Sequence, residues 1–243
     1  WYKFKATVRG NGAATAALIS PTGSALAANA AISPTSAELV WETNGHGQII
    51  QGVILKDGYV YFKTGPKAEG NAVIAVKDGS GNVLWSWHIW VTDYDPNKLD
   101  GWKSVNGRIW MDRNLGAMSG EYTPDGAARG LIYQWGRKDP FPGTKGFGDN
   151  TPKPVYVYDA GGSPEKYIEY ISKQTDGINL MYSLQHPDQI IYALDESEES
   201  DWYTTNTQEY ANNQLWSADK KTIFDPCPAG WRVPDNEAFD RDG

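Results

Sequence analysis

Cysteine is nearly absent from this chain, since Cys227 is the only one among 243 residues. A single thiol cannot form an intrachain disulfide, which excludes a disulfide-stapled scaffold and fits either the cytosol or bacterial export without disulfides. Long apolar runs are also lacking, because no stretch approaches the roughly 20 residues that cross a bilayer. The sequence has neither an initiator Met nor a signal peptide, so we expect Trp1 to follow a removed segment or an artificial boundary.

Basic residues are outnumbered by acidic ones. The chain has 22 Lys and Arg against 30 Asp and Glu, with a net charge of −8 and a pI near 4.9. This balance argues against a nucleic-acid partner, whose phosphates attract positive charge. Aromatic residues are abundant instead, with 11 Trp and 14 Tyr. They suit all-β packing or a contact surface for sugars or proteins, and core packing is the commoner of the two roles.

Catalytic motifs are missing as well. The sequence contains no G-x-S-x-G elbow, P-loop, H-E-x-x-H or dinucleotide fingerprint. Cys227 lies between two prolines, and two of the three His residues fall in the N-terminal β region, so a Cys–His nucleophile is disfavoured. The acidic run at residues 195–201 is typical of a solvated loop. We therefore assign no catalytic residues, and an enzyme is disfavoured.

The first ninety residues or so predict strands separated by turns. Residues 1–9 alternate, which places Tyr2, Phe4, Ala6 and Val8 on one face. Asp57-Gly58 is a strong hairpin signal. The stretch 83–91 is apolar on both faces, which favours a central strand. Six or seven such strands predict an immunoglobulin-like β-sandwich over residues 1–97, built from residues 1–9, 38–41, 49–55, 59–63, 72–76 and 83–91.

The remainder, residues 98–243, predicts a second domain of α+β type. Asn106-Gly107 favours a two-residue hairpin turn. Ser163-Pro164-Glu165 is a helix start signal, followed by an apolar stripe, and predicts a short helix from Glu165 to Lys173. A second helix is predicted to begin at Pro234 and to run through Phe239. The sequence stops soon afterwards, so we expect this domain to be incomplete at its C-terminus.

The predicted interdomain linker, residues 93–101, offers a weak metal candidate. Asp93, Asp95 and Asn97 match the first three ligand positions of an EF-hand loop, which would bind Ca²⁺. The sixth position is Lys98 instead of Gly, and the twelfth is Ser104 instead of Glu. Both departures remove parts that the loop needs, so a solvated turn is favoured and no other cofactor is predicted.

A recognition surface requires exposed aromatic side chains beside amide or carboxylate groups. The polar stretch between residues 200 and 217 offers the best such group, because no amphipathic pattern demands that all its aromatics be buried. Core or loop-anchoring roles remain the alternative for each residue. The candidate ligand-binding residues are Trp202, Tyr203, Tyr210, Asn213 and Trp216.

Three aromatic blocks carry a family resemblance: a first block (residues 107–115), a second block (residues 130–137) and a third block (residues 225–234). The stretches that resemble the Fibrobacter succinogenes major paralogous domain are Trp110-Met111 with Asn114-Leu115, Tyr133-Gln-Trp135-Gly136 and Asp225-Pro-Cys-Pro-Ala-Gly-Trp-Arg-Val-Pro234. The resemblance covers roughly residues 102–243. Residues 71–77 and 84–93 are similar to the β module that precedes this domain in some fimbria-associated surface proteins.

This resemblance implies a C-type-lectin-like fold for the second domain and an exported protein of Bacteroidetes type. It implies a surface lipoprotein, whose lipid anchor would precede this chain, with a binding or adhesive role at the cell surface or outer membrane. Family members continue well past the third block, so this copy is expected to be truncated. The formylglycine-generating relatives rely on paired cysteines, and this chain has one, so that activity is not implied.

The sequence thus favours an immunoglobulin-like β-sandwich followed by a C-type-lectin-like α+β domain, mainly β overall. The expected function is that of an adhesin or fimbrial tip component whose partners are a glycan or a host or bacterial surface protein, with other fimbrial subunits as further candidates. The alternatives are a carbohydrate-active enzyme or accessory protein, and a structural fimbrial subunit joined by strand addition. Trp110, Trp135 and Trp231 are interpreted as the frame of the fold, and ligand-facing residues are expected between the second and third blocks.

Overall fold

Strands dominate the fold, as the sequence predicts. The structure, a computed structural model, describes residues 1–12, 18–19, 25–26, 30–66, 68–105, 107–142, 157–158, 164–166, 169–172, 180–192, 202–203, 214–217 and 219–234. Within these ranges there is one α-helix, α1 (Leu180–Gln185). No helix in the described ranges is long and apolar enough to cross a membrane. The prediction of a mainly β chain is confirmed.

Sixteen strands are described, and the six that lie in the second half of the chain have four residues or fewer each. In chain order they are β1 (Tyr2–Lys5), β2 (Leu18–Ile19), β3 (Ala25–Leu26), β4 (Ser36–Glu42), β5 (Ile50–Lys56), β6 (Tyr59–Thr64), β7 (Gly70–Lys77), β8 (Val83–Val91), β9 (Trp102–Val105), β10 (Arg108–Met111), β11 (Leu131–Ile132), β12 (Phe141–Pro142), β13 (Val157–Tyr158), β14 (Pro164–Lys166), β15 (Glu169–Ser172) and β16 (Gln189–Tyr192).

A three-stranded antiparallel sheet has the order β1-β6-β5. Its β5–β6 hairpin turns at Asp57 and Gly58, whose φ angles are 51° and 75°. Positive φ at both central residues is what a type I′ turn needs, so this predicted hairpin is confirmed. Along residues 1–9 the predicted strand is shorter than expected: Ala6 is buried, Phe4 half-buried and Tyr2 exposed.

The larger sheet has the order β14-β13-β4-β7-β8. Strand β7 lies between β4 and β8 and is buried along nearly its whole length. The prediction that residues 83–91 form a central strand was wrong, because β8 lies at the edge of this sheet as the structure describes it. It is apolar on both faces because later elements cover it: α1 packs against β8, and the Phe224 ring lies 5.8 Å from the Trp85 ring.

The two sheets and the C-terminal half share one hydrophobic core. A single cluster of buried side chains joins Val60 of the smaller sheet and Ile74 of the larger one to Leu184 of α1 and to Trp216. Strand β13 also pairs with β4, through Tyr158 and Glu42. Side chains on the two sides of the predicted boundary at residues 97/98 thus pack together. Whether each side folds independently is a separate property, so the domain division stays a prediction.

The predicted helix from Glu165 to Lys173 was wrong. Residues 164–166 and 169–172 are the strands β14 and β15, and β15 pairs in parallel with β16. The Ser-Pro-Glu start signal is local, whereas the pairing with β16 is a long-range contact that overrides local propensity. Of the second predicted helix only Pro234 falls within the described residues, so that helix stays a prediction.

The hairpin predicted at residues 106–107 is confirmed. Strands β9 and β10 pair with Val105 opposite Arg108, which leaves a two-residue connection. Gly107 has a φ of 72°, the positive value that such a turn needs. Asn106 lies outside the described residues.

Candidate ligand-binding groove

A groove of about 1170 Å³ lies where the three aromatic blocks meet. Its lining includes residues 108–115 of the first block, Leu131 and Tyr133 of the second block, and most of the third block from Pro226 to Pro234. Small-molecule sites occupy roughly 300–1,000 Å³, so this groove has room for an elongated ligand. We call it the three-block groove.

The first block forms one wall through the β9–β10 hairpin. Trp110 lies opposite Lys103 in this hairpin, and Trp110 and Arg108 both line the groove. After β10, two nitrogens of the Arg113 guanidinium donate to the Asp112 carboxylate, at 2.8 Å and 3.2 Å. Arg113 also donates to the Met118 carbonyl at 3.1 Å. The hydrogen bond to Asp112 raises the pKa of Arg113, so its charge is retained in this half-buried position.

Arg113 is also fixed from its other side. Its guanidinium lies 4.0 Å from the centroid of the Tyr94 ring, a cation–π contact. The Tyr94 hydroxyl donates to the Gly101 carbonyl at 2.6 Å, and burial raises the Tyr94 pKa to about 12. The aromatic ring and the carboxylate together hold Arg113 as a structural support beneath the first block.

The first and second blocks join through their backbones. The Leu131 N–H donates to the Leu115 carbonyl at 2.9 Å. Gly130 has a φ of 69°, and a Cβ there would lie 2.6 Å from the Leu115 oxygen. Both the positive φ and the close approach require glycine at this position, because any side chain would push the two blocks apart.

Tyr133 lines the groove and carries an unsatisfied polar group. Its ring lines the groove, and its hydroxyl is shielded from solvent and has no hydrogen-bond partner in the structure. Burial raises the Tyr133 pKa well above its usual value, so the hydroxyl keeps its proton. An unpaired buried hydroxyl costs about 1–3 kcal/mol.

The rest of the second block anchors the helix and its following strand. Arg137 is buried and donates to the carbonyls of Ser183 and His186, at 3.2 Å and 2.7 Å. These carbonyls belong to the C-terminal end of α1, where a cation is favourable. Gln134 pairs with Ile191 of β16 through both its amide oxygen and its amide nitrogen, at 3.1 Å and 2.6 Å. The second block therefore connects the groove to α1 and to β16.

A buried ion pair follows directly. The Lys138 ammonium lies 2.5 Å from Asp139 and 4.6 Å from the centroid of the Trp85 ring, and both charged residues are buried. It also donates to the Ser86 hydroxyl, which in turn donates to Asp139 at 2.6 Å. Burial lowers the Lys138 pKa. This cluster ties the loop after the second block to β8 of the larger sheet.

The third block is held by a charged clamp. The Asp225 carboxylate accepts the N–H groups of Cys227 and Val233, at 2.8 Å and 3.0 Å. The Lys221 ammonium lies 2.8 Å from Asp225 and also donates to the carbonyls of Cys227 and Trp231, at 2.6 Å and 2.9 Å. One carboxylate and one ammonium thus close the loop that presents Trp231 to the groove.

The remaining side chains of the third block have distinct roles. The Trp231 Nε1–H donates to Asn97 Oδ1 at 3.3 Å, which connects this block to the linker. Burial raises the Cys227 pKa to about 12, so the thiol stays protonated at neutral pH and packs against the groove wall. A protonated thiol is a weak nucleophile.

Behind the groove, a histidine and an amide connect the first block to the larger sheet. Asn71 donates from Nδ2 to the Gly116 carbonyl at 2.9 Å, so its Oδ1 is the acceptor for Nε2–H of His88, also at 2.9 Å. Burial lowers the His88 pKa to about 4, which keeps the ring neutral at physiological pH.

Three of the five ligand-binding residues predicted from the sequence lie within the described residues, and none of these three is on the surface. Trp202, Tyr203 and Trp216 are buried, at 5%, 3% and 8% exposure. The Trp202 Nε1–H donates to the Trp135 carbonyl at 2.6 Å, and that of Trp216 to the Phe224 carbonyl at 2.9 Å. These three side chains have the core roles that were the alternative, and only Trp216 touches the groove, at its floor. Tyr210 and Asn213 lie outside the described residues.

The weak calcium candidates form a local turn. Asp95 Oδ1 accepts from the backbone N–H and the side-chain amide of Asn97, at 3.0 Å and 3.3 Å. Asp93 and Asn97 are exposed. Among the residues that the structure describes, no group of three or more His, Cys, Asp or Glu side chains could hold a metal ion. A solvated turn stays the favoured prediction for this segment, with a calcium site as its weak alternative.

Sequence reasoning missed the arginines of the groove, because the blocks were interpreted as the frame of the fold and not as a ligand site. Arg108, Arg113, Arg129 and Arg232 all line the groove. A signal was present, since these are four of only seven arginines in the chain and each lies in or beside a block. Comparisons of the chain with models of known protein families, with curated proteins and with solved structures find no match.

Proposed function

We propose that this chain is an exported cell-surface adhesin or fimbrial tip component that binds a glycan in the three-block groove. The observation that carries the proposal is the convergence of all three blocks on one groove with aromatic, guanidinium and amide side chains in its lining. Aromatic faces stack on sugar rings, and guanidinium and amide groups hydrogen-bond to sugar oxygens. An immunoglobulin-like β module followed by a C-type-lectin-like domain is the arrangement we propose for the chain.

The support of the groove favours recognition by a rigid site. The clamp of Lys221 and Asp225 fixes the third block, and Arg113 is fixed by Asp112 and Tyr94. Side chains that are already positioned lose less conformational freedom on binding, so more of the contact energy appears as affinity.

A glycan array, followed by titration calorimetry on each hit, tests the proposal. Trp231→Ala and Trp110→Ala are expected to weaken binding about tenfold or more, because aromatic anchors dominate such sites. Trp1→Ala is the matched control, since Trp1 is 67% exposed and lies outside the groove lining. Binding that survives both groove variants, or that falls equally in the control, would refute the assignment.

A shortened chain tests the main competing occupant. Pro234 lines the groove, and residues 235–243 follow it. A chain ending at Pro234 is expected to bind glycans as the full chain does. If glycan binding appears only after this truncation, residues 235–243 occupy the groove in the full chain and the proposal fails.

A further inference from the structure

The outward face of the smaller sheet is basic, although the chain as a whole carries a net charge of −8. Every charged residue of the strands β1, β5 and β6 is a lysine, and all of these lysines are exposed. Lys5 and Lys56 both lie opposite Tyr59 in the pairing register, one on each side of it. Residues directly opposite in paired strands share a face. We call this surface the lysine face, and its lysines are Lys3, Lys5, Lys56 and Lys63.

Two exposed apolar side chains lie among these lysines. Trp1 is 67% exposed and Ile54 is 51% exposed. The end of the Trp1 indole lies 3.8 Å from the position that a Cβ of Gly52 would occupy, so the ring rests over a glycine of β5. Ile54 lies opposite Tyr61, which on its other side lies opposite Lys3. The lysine face therefore combines positive charge with apolar surface that is open to solvent.

The charge of the lysine face is largely uncompensated. Lys5, Lys56 and Lys63 form no hydrogen bond or ion pair in the described part of the chain. Asp57 in the β5–β6 turn is exposed, and it shares a surface cleft of about 300 Å³ with Lys56 and Trp1. Within the three strands and this turn, all of which are described, one carboxylate accompanies four ammonium groups. The face therefore stays positive.

The two tyrosines of the lysine face have a different role from Trp1. The Lys3 ammonium lies 5.0 Å from the centroid of the Tyr59 ring and 5.7 Å from that of the Tyr61 ring. The planes of these two rings are tilted by 58° to each other. Sugars and nucleobases stack on open aromatic faces. Because the tyrosine rings instead stabilise the charge of Lys3, this face is a poor stacking surface for a glycan or a nucleic acid.

We infer that the lysine face docks on an anionic lipid surface, with its lysines beside the headgroups and with Trp1 and Ile54 in the interface. Tryptophan is enriched where lipid meets water, and lysines near an anionic leaflet are attracted to it. The compact charge of lysine suits this role, because it needs no partner of fixed geometry. The chain as a whole is acidic, so an anionic surface attracts this face and orients the molecule. The inference is independent of the three-block groove, whose lining contains none of these residues.

Flotation of the full chain with lipid vesicles tests the inference. One set of vesicles is phosphatidylcholine alone, and the other contains about one-third phosphatidylglycerol, whose headgroup is anionic. The chain is expected to bind the anionic vesicles about tenfold to a hundredfold more tightly than the neutral ones. Most of this preference should disappear at about 1 M salt, where charges are screened beyond about 3 Å.

Substitution assigns the contact. The double variant Lys5→Gln/Lys56→Gln is expected to weaken binding to anionic vesicles about thirtyfold, because each lysine near such a surface contributes about fivefold. Lys98→Gln/Lys220→Gln is the matched control, since it makes the same change in net charge at exposed positions outside the sheet. This control should bind as the unaltered chain does. Trp1→Ala should weaken vesicle binding about tenfold through lost apolar burial, and should leave glycan binding in the groove unchanged.

The outcomes separate this inference from its alternatives. Equal binding to neutral and anionic vesicles, or an equal loss in the matched control, would overturn it. Tighter binding to heparin or to single-stranded DNA than to anionic vesicles, lost in the Lys5→Gln/Lys56→Gln variant, would overturn it by making the ligand a soluble polyanion. Absence of vesicle binding would overturn it as well and leave the proposed function standing, because glycan binding in the groove is measured without lipid.

Discussion

The third-block clamp depends on the charge of one buried carboxylate, and Asp225→Asn tests this dependence. The Asp225 side chain is fully buried and accepts the Cys227 and Val233 N–H groups and the Lys221 ammonium. With asparagine, one oxygen becomes an NH₂ group, so the Val233 N–H faces a donor. Losing a hydrogen bond to a charged group costs about 1.5–3 kcal/mol. The weakened pair with the partly exposed Lys221 adds up to about 1 kcal/mol.

Together these terms lower the free energy of unfolding by about 2–4 kcal/mol, which is a Tm decrease of about 5–15 °C for a chain of this size. Calorimetric melting and urea unfolding followed by tryptophan fluorescence measure the change. Asp219→Asn is the control: Asp219 is exposed, so its stability effect should stay within about 0.5 kcal/mol. An Asp225→Asn variant as stable as this control would show that the clamp does not hold the third block.

Three further predictions concern the core and a turn. Lys138→Met should lower the free energy of unfolding, measured with denaturant, by about 3–5 kcal/mol, because it leaves the Asp139 carboxylate buried without its cation. The double variant Lys138→Met/Asp139→Leu should recover much of this stability, and a double variant as unstable as the single one would contradict the prediction. Because the folded-state pKa of His88 is depressed to about 4, stability should fall as pH drops from about 6.5 towards 4, and His88→Gln should flatten that slope in melting curves. Gly58→Ala, at a φ of 75° and with Thr7 3.2 Å from the new Cβ, should cost about 1 kcal/mol or more, whereas Gly79→Ala should cost less than 0.5 kcal/mol.

Local sequence signals predicted local structure well. Two adjacent residues, Asp57 and Gly58, are enough to predict the type of their turn, because a type I′ turn needs positive φ at both positions. Strands β7 and β8 likewise lie where the apolar runs at residues 72–76 and 83–91 predict them. These elements need no information from elsewhere in the chain, so the sequence is sufficient to place them.

Elements that depend on distant partners were predicted poorly. The strand β15 lies where Ser-Pro-Glu and an apolar stripe indicate a helix, and only its pairing with β16 makes it a strand. Strand β8 looks central because it is apolar on both faces, but α1 and Phe224 supply the second cover. Neither partner can be inferred from the residues of the strand itself.

The site shows the same limit. The three blocks were predicted to be the frame, with the ligand expected between the second and third. The buried positions of Trp202 and Tyr203 remove two of the predicted contact residues from the surface, while the arginines of the blocks line the groove instead. Periodicity cannot reveal this exchange, because none of these stretches belongs to a long helix or strand whose faces alternate.

The pairing of β13 with β4 makes completion of the larger sheet depend on residues far apart in the chain. Strand β4 forms early in synthesis, but its free edge is covered only when Tyr158 has been made, and β8 is covered only when Phe224 follows. Contacts between such distant segments form slowly, because a long loop must close before they contribute. Until then the nascent chain displays an open strand edge, the feature through which β proteins associate wrongly. The larger sheet is therefore expected to reach its final form only after the third block has been synthesised.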